Sequence, residues 1–155
     1  MATVVHRETR LFPYTPAQVF DIVADVQRYP EFLPWCHGAR IRRREGNVLY
    51  ADLLIGFRVL REKYTSKVEL VRPYAINVEY HEGPFRHLDN HWKFTDRPEG
   101  GCVIDFYVDF EFRSRLLRST MGFVFGEAVH HMVRAFEGRA RKLYGAAPAP
   151  SIARP

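Results

Sequence analysis

Hydrophobic positions in this chain follow two periods, and the change between them falls near residue 113. From Arg113 to Tyr144, apolar residues recur in steps of three and four, at Leu117, Met121, Val124/Phe125, Ala128, Met132, Ala135/Phe136 and Leu143. That spacing predicts a helix with one buried stripe. Its other side carries Arg115, Arg118, Glu127, His131, Arg134, Arg141 and Lys142. About thirty residues rising roughly 1.5 Å each make a rod of about 45 Å. Such a rod needs a broad apolar surface to lie on.

Upstream the period is two. Across residues 102–112, Cys102, Ile104, Phe106, Val108, Phe110 and Phe112 share one face. Asp105, Tyr107, Asp109 and Glu111 share the other, the alternation of a half-buried strand. Further strands are expected at 3–11, 37–45, 48–57, 59–71, 74–80 and 88–95. In the first, Val5, Thr9 and Leu11 stand against His6, Glu8 and Arg10. In 59–71, Arg61, Lys63, Thr65, Lys67 and Glu69 form the solvent set, so Leu60, Glu62, Tyr64, Ser66, Val68 and Leu70 are expected to face inward. Turn formers at Glu45-Gly46-Asn47, Arg72-Pro73, Glu82-Gly83-Pro84 and 96–101 separate the strands. Thr15 before Pro16 is an N-cap with proline at the first helical position, predicting a helix over 16–26. Between 27 and 36, Pro30 and Pro34 forbid a long helix. Four bulky groups there, Tyr29, Phe32, Leu33 and Trp35, are expected to cap a core or meet a hydrophobic partner. Hairpin-sized connections with the long helix last predict an α+β fold, a curved antiparallel sheet wrapped around a C-terminal helix. One domain is expected over 1–144, followed by a disordered tail over 145–155.

Composition narrows the partners. The net charge is +5, with arginine supplying most of the 23 basic residues. That balance suits an ordinary basic protein, and equally an anionic lipid surface or RNA. No apolar run is long enough to span a bilayer, and residues 1–6 lack a signal-peptide pattern, so a cytoplasmic protein is expected, with peripheral contact to an inner membrane. Two cysteines make neither a disulfide framework nor a metal set.

Catalytic signatures are scarce. There is no phosphate-binding glycine loop and no nucleophile elbow. His130 and His131 are adjacent on a helix and point about 100° apart, a poor ligand pair. The carboxylate row Asp105, Asp109 and Glu111 is expected to be a solvated face paired with Lys63, Lys67 or Lys93. What remains is apolar. Tyr64, Val68, Tyr80, Trp92, Phe94, Phe106 and Phe110 on the sheet face Met121, Phe125 and Met132 on the helix. They make either a packed core or a pocket, and two inward polar residues, Glu62 and Ser66, favour the pocket.

Several stretches resemble the coenzyme Q-binding START-like family. They are 25–36 (Asp-Val-Gln-Arg-Tyr-Pro-Glu-Phe-Leu-Pro-Trp-Cys), Gly56-Phe57 with Glu62 to Val68, Gly83-Pro84-Phe85 with Leu88 and Trp92, 110–114, and Ala135-Phe136-Glu137 with Arg139-Ala140. The resemblance implies the helix-grip fold, no catalytic step, no cofactor, and ubiquinone or a similar polyprenyl lipid as the bound ligand. On the inward-facing residues read above, the head group of such a ligand is expected near Glu62, Tyr64 and Ser66, within a pocket lined also by Val68 and Tyr80, and the tail along Trp92, Phe94, Phe106, Phe110, Met121 and Phe125. Phe32, Leu33, Trp35 and Phe85 would gate the pocket and touch the membrane. The same family includes a ribosome-association toxin directed at the large ribosomal subunit, and the arginines at 40–44 and at 113, 115 and 118 suit that partner too. An enzyme of the cyclase type would have only Glu62 and Tyr64 as acid/base candidates.

Overall fold

A computed structural model of the chain describes residues 3–57 and 60–145. Seven strands form one antiparallel sheet in the order β1-β7-β6-β5-β4-β3-β2. The strands are β1 (Val4–Phe12), β2 (Cys36–Glu45), β3 (Val48–Phe57), β4 (Leu60–Val71), β5 (Ala75–Glu82), β6 (Phe85–Asp96) and β7 (Cys102–Phe112). From β2 to β7 each strand pairs with its successor, as hairpin-sized connections require. β1 closes onto β7, so the chain crosses the whole sheet between its first two strands. Helix α1 (Pro16–Ala24) and a 3-10 segment (Val26–Glu31) make that crossing. The C-terminal helices α2 (Arg115–Leu117), α3 (Phe123–His130) and α4 (Met132–Tyr144) cover the concave face.

Local chemistry sets the ends of α1. Thr15 Oγ1 accepts from the Gln18 amide while Gln18 Oε1 accepts from the Thr15 amide, a reciprocal capping box. The helix stops at Ala24, where Asp25 leaves helical geometry.

Several expectations need correction. The C-terminal rod is interrupted. Residues Arg118–Gly122 form a π-helical turn between α2 and α3, and His131 breaks the run between α3 and α4. The buried stripe becomes Met121, Phe125, Val129, Val133, Phe136 and Ala140, and Leu143 is left 51% exposed. The facing of β1 is reversed. Phe12 must enter the core, where it is 1% exposed, and a period of two then turns Val4, His6, Glu8 and Arg10 inward and Val5 and Leu11 outward. On β4, Thr65 belongs to no solvent set. It is buried on the convex face, where its hydroxyl donates to Asp52 Oδ1 at 2.6 Å. β6 begins at Phe85, which the sequence left in a turn and which pairs with Phe112 across a bulge. The carboxylates of β7 find partners other than lysine. Asp105 accepts from Thr9 at 2.9 Å, Asp109 bonds His87 at 2.8 Å, and Glu111 lies 3.6 Å from Arg118. Gly145, placed in the expected tail, accepts a 2.8 Å bond from Tyr14. The rest of that tail, residues 146–155, and Val59 lie outside the described residues.

The greasy loop after α1 caps the core. Arg139 on α4 is 7% exposed, lies over the Phe32 ring at 5.1 Å and donates to Glu31 at 2.8 Å. The hydrogen bond from Arg139 is the main reason the Glu31 carboxyl titrates below its usual range. Tyr29 and Phe32 pack edge-on against Phe136 beside this clamp, at 5.5 and 5.1 Å between centroids.

Candidate functional site

A hollow lies between the concave face and the helices. Its walls come from β3 to β7, from α3 and α4, and from the 3-10 segment and the loop after it. Two aromatic clusters bound it. In one, Phe85 sits 5.1 Å from Tyr64, 5.6 Å from Tyr80 and 5.7 Å from Phe110. In the other, Trp92 sits 4.9 Å from Phe136 and 4.6 Å from Phe106. Between them the lining is aliphatic, with Leu53, Ile55, Val68, Val78, Leu88, Val108 and Met132 among its residues. Ala128 on α3 is the smallest side chain that the helices contribute to the lining. The open volume is about 100 Å³.

One glycine shapes the wall. Gly83, at φ +143°, folds the β5–β6 turn onto β4. A Cβ there would meet Tyr64 Cβ at 2.5 Å and its Cα at 2.9 Å. The Tyr80 hydroxyl accepts from the Phe85 amide at 3.2 Å and locks the same turn.

Polar atoms in the lining are few. Asn90 is committed on both sides, donating to the Tyr107 carbonyl at 2.8 Å and accepting from the Trp92 indole at 3.2 Å. Tyr29 donates to the Val23 carbonyl. The hydroxyls of Tyr64 and Ser66 have no hydrogen-bond partner among the described residues, and neither oxygen is fully sealed from the hollow. Both face the hollow. Burial, with a smaller contribution from Cys36, raises the Tyr64 pKa, so the phenol stays protonated and remains a donor. Burial likewise pushes the Cys36 thiol up to about 11, which keeps it from being a thiolate nucleophile at neutral pH.

The expected ligand residues divide. Tyr64, Ser66, Val68, Trp92, Phe106, Phe110 and Phe125 line the hollow. Glu62, Tyr80, Phe94 and Met121 lie outside its lining. Glu62 is half-buried near the hairpin end of β4, beyond Tyr64. Phe94 and Met121 are buried in the core behind the wall. Of the expected gate, Leu33, Trp35 and Phe85 line the hollow, and Phe32 packs on Phe136 instead. Leu33 and Phe85 are buried, so neither presents a surface for a membrane to touch. The reading missed Tyr29, Leu53, Asn90 and Phe136. Asn90 shares the parity of Trp92 and Phe94 on the strand expected at 88–95, and the helical stripe contains Phe136.

Residues 12–137 match the family model for polyketide cyclase/dehydrase and lipid transport. The chain belongs to that family. It is 35% identical to the ribosome association toxin RatA of Pseudomonas aeruginosa over 145 residues, 94% of this chain and 100% of that protein. It is 34% identical to the mitochondrial coenzyme Q-binding protein COQ10 homolog B of Xenopus laevis over 97% of this chain, which spans 63% of that protein. An 18 kDa Caulobacter crescentus protein of solved structure is 35% identical, with a TM-score of 0.71 over 92% of this chain and 99% of its own. Two more distant structures share the fold. A START superfamily protein from Mycobacterium smegmatis has a TM-score of 0.73 at 18% identity, covering 90% of this chain and 98% of its own. The Zhui aromatase/cyclase from Streptomyces sp. R1128 has 0.78 at 16%, covering 91% and 96%. The helix-grip architecture expected from the sequence is therefore that of START-like and cyclase folds. Among the described residues no helix is long and apolar enough to cross a membrane.

Proposed function

We propose that this chain binds ubiquinone or a similar polyprenyl lipid in the concave hollow, without catalysing a reaction on it. One observation carries the reading. Two neutral donors, Tyr64 and Ser66, face the hollow with no partner among the described residues, while the other polar side chains of its lining, Asn90 and Tyr29, are already bonded. A quinone carbonyl accepts from such donors. Similarity to a coenzyme Q-binding protein supports the same ligand class. Among the described residues that line the hollow there is no carboxylate and no cysteine, so the chemistry proposed for it is that of holding a molecule.

The hollow, at about 100 Å³, is smaller than the roughly 300–1,000 Å³ of ordinary ligand pockets. It takes part of a head group as it stands, and the tail enters only as the helices part from the sheet. The π-turn at Arg118–Gly122 and the break at His131 are the places where the helical cover yields. Burying one five-carbon unit contributes roughly 3 kcal/mol toward that opening.

The chain's two tryptophans, Trp35 and Trp92, both line the hollow. Titration with a short-chain ubiquinone is expected to quench their fluorescence saturably. Quenching that grows linearly, with no change in melting temperature, would count against the reading.

A second reading is association with the large ribosomal subunit, favoured by similarity to ribosome association toxins along nearly the full chain. A bulge at Arg42 brings Arg40, Arg42 and Arg43 together on the convex face, where they suit RNA phosphates. It predicts co-sedimentation with large subunits that falls steeply with salt.

A further inference from the structure

We propose that this chain pairs with a second copy of itself through β1, continuing the sheet across a twofold axis. β1 and β2 are the two edges of the sheet, and they differ. β2 shifts register twice and carries Arg40, Arg42, Arg43 and Arg44. Bulges and edge charges both discourage pairing. β1 runs nine residues in unbroken register against β7. Its other edge has no backbone partner among the described residues. It also leaves Val5 56% and Leu11 59% exposed on the convex face. Natural sheets avoid a long, regular, partly apolar edge unless something covers it.

Parity identifies what covers it. A twofold axis normal to the sheet sets β1 antiparallel to its copy. Opposed residues then share a face, so their numbers add to an even sum. A sum of about 14 opposes Arg7 to the copy's Arg7. A sum of about 18 opposes Arg7 to Leu11 and Val5 to Pro13. A sum of about 16, centred on Glu8, opposes Val5 to Leu11 twice and Arg7 to Thr9. Of the three, only the register centred on Glu8 matches apolar with apolar. On the concave face, Glu8 already holds its own His6 and Arg10 at 2.9 Å each. This register also sets Glu8 directly opposite the copy's Glu8, a like-charge pair in which each carboxylate is neutralised by its own His6 and Arg10 and lies diagonal to the copy's.

Sedimentation velocity across a concentration series tests the proposal. The wild type is expected to pass from monomer to dimer as concentration rises. Val5→Lys/Leu11→Lys opposes lysine to lysine twice, and dimerisation is expected to weaken about tenfold or more. Val5→Glu/Leu11→Lys opposes glutamate to lysine and is expected to restore the wild-type transition. Both positions are exposed in the single chain, and thermal melting confirms that each variant is folded. A wild type that stays monomeric throughout, or two double variants that dimerise alike, overturns the proposal.

Discussion

The two faces of the sheet handle polar groups in opposite ways. On the convex face the buried polar groups Asp52 and Thr65 are answered from within the chain. Asp52 is 6% exposed, yet it accepts from Thr65 at 2.6 Å and from Arg40 at 2.9 Å. Burial works against its ionisation, and the bonds from Thr65 and Arg40 outweigh it, so its carboxyl titrates below the usual range. On the concave face Tyr64 and Ser66 face a hollow and have no hydrogen-bond partner among the described residues. A face that satisfies itself is structure. A face that leaves donors free is the one on which a second molecule is proposed to bind.

Substitutions that strike one face and spare the other test this contrast. The largest effect is expected on the concave side. Phe136→Ala removes a ring shared by Tyr29, Phe32 and Trp92 and should cost about 3–5 kcal/mol in chemical denaturation. Asp52→Asn strikes the convex network and should cost about 1–3 kcal/mol. It also carries a pH signature. The folded carboxyl titrates below its unfolded value, so its stabilisation is present above the usual carboxylate pKa and fades as pH falls through the folded one. The wild type should therefore lose more stability in acid than the Asn variant. Gly83→Ala drives a methyl into Tyr64 at a positive φ and should cost about 1–3 kcal/mol, with a loss of ligand affinity as the wall shifts. Tyr64→Phe is the sharpest comparison. It should leave stability within about 0.5 kcal/mol, because no hydrogen bond among the described residues is lost, yet weaken quinone binding several-fold. Thr9→Ala, which cuts an exposed bond to Asp105, should change stability by less than about 0.5 kcal/mol and binding not at all.

Some of this was legible from residue order alone. The alternation on β7 placed every concave residue, because long apolar side chains at period two leave no ambiguity about facing. β1 was misread because its apolar and polar residues are evenly mixed, so Phe12, just past the expected end, decided the parity. The break at His131 carries no proline or glycine signal, and only packing reveals it. Arg139 was invisible to periodicity, since a buried arginine makes sense only once Glu31 and Phe32 arrive from a distant loop. Tyr64 and Ser66 were visible as inward polar residues. That they lack partners could be learned only from the three-dimensional arrangement.

Purified protein can be extracted with organic solvent and the extract analysed by mass spectrometry, wild type beside Tyr64→Phe. A polyprenyl quinone or related lipid that co-purifies with the wild type and is depleted in the variant is the predicted result. Extracts free of any such molecule, from protein whose melting temperature added ubiquinone leaves unchanged, would contradict it.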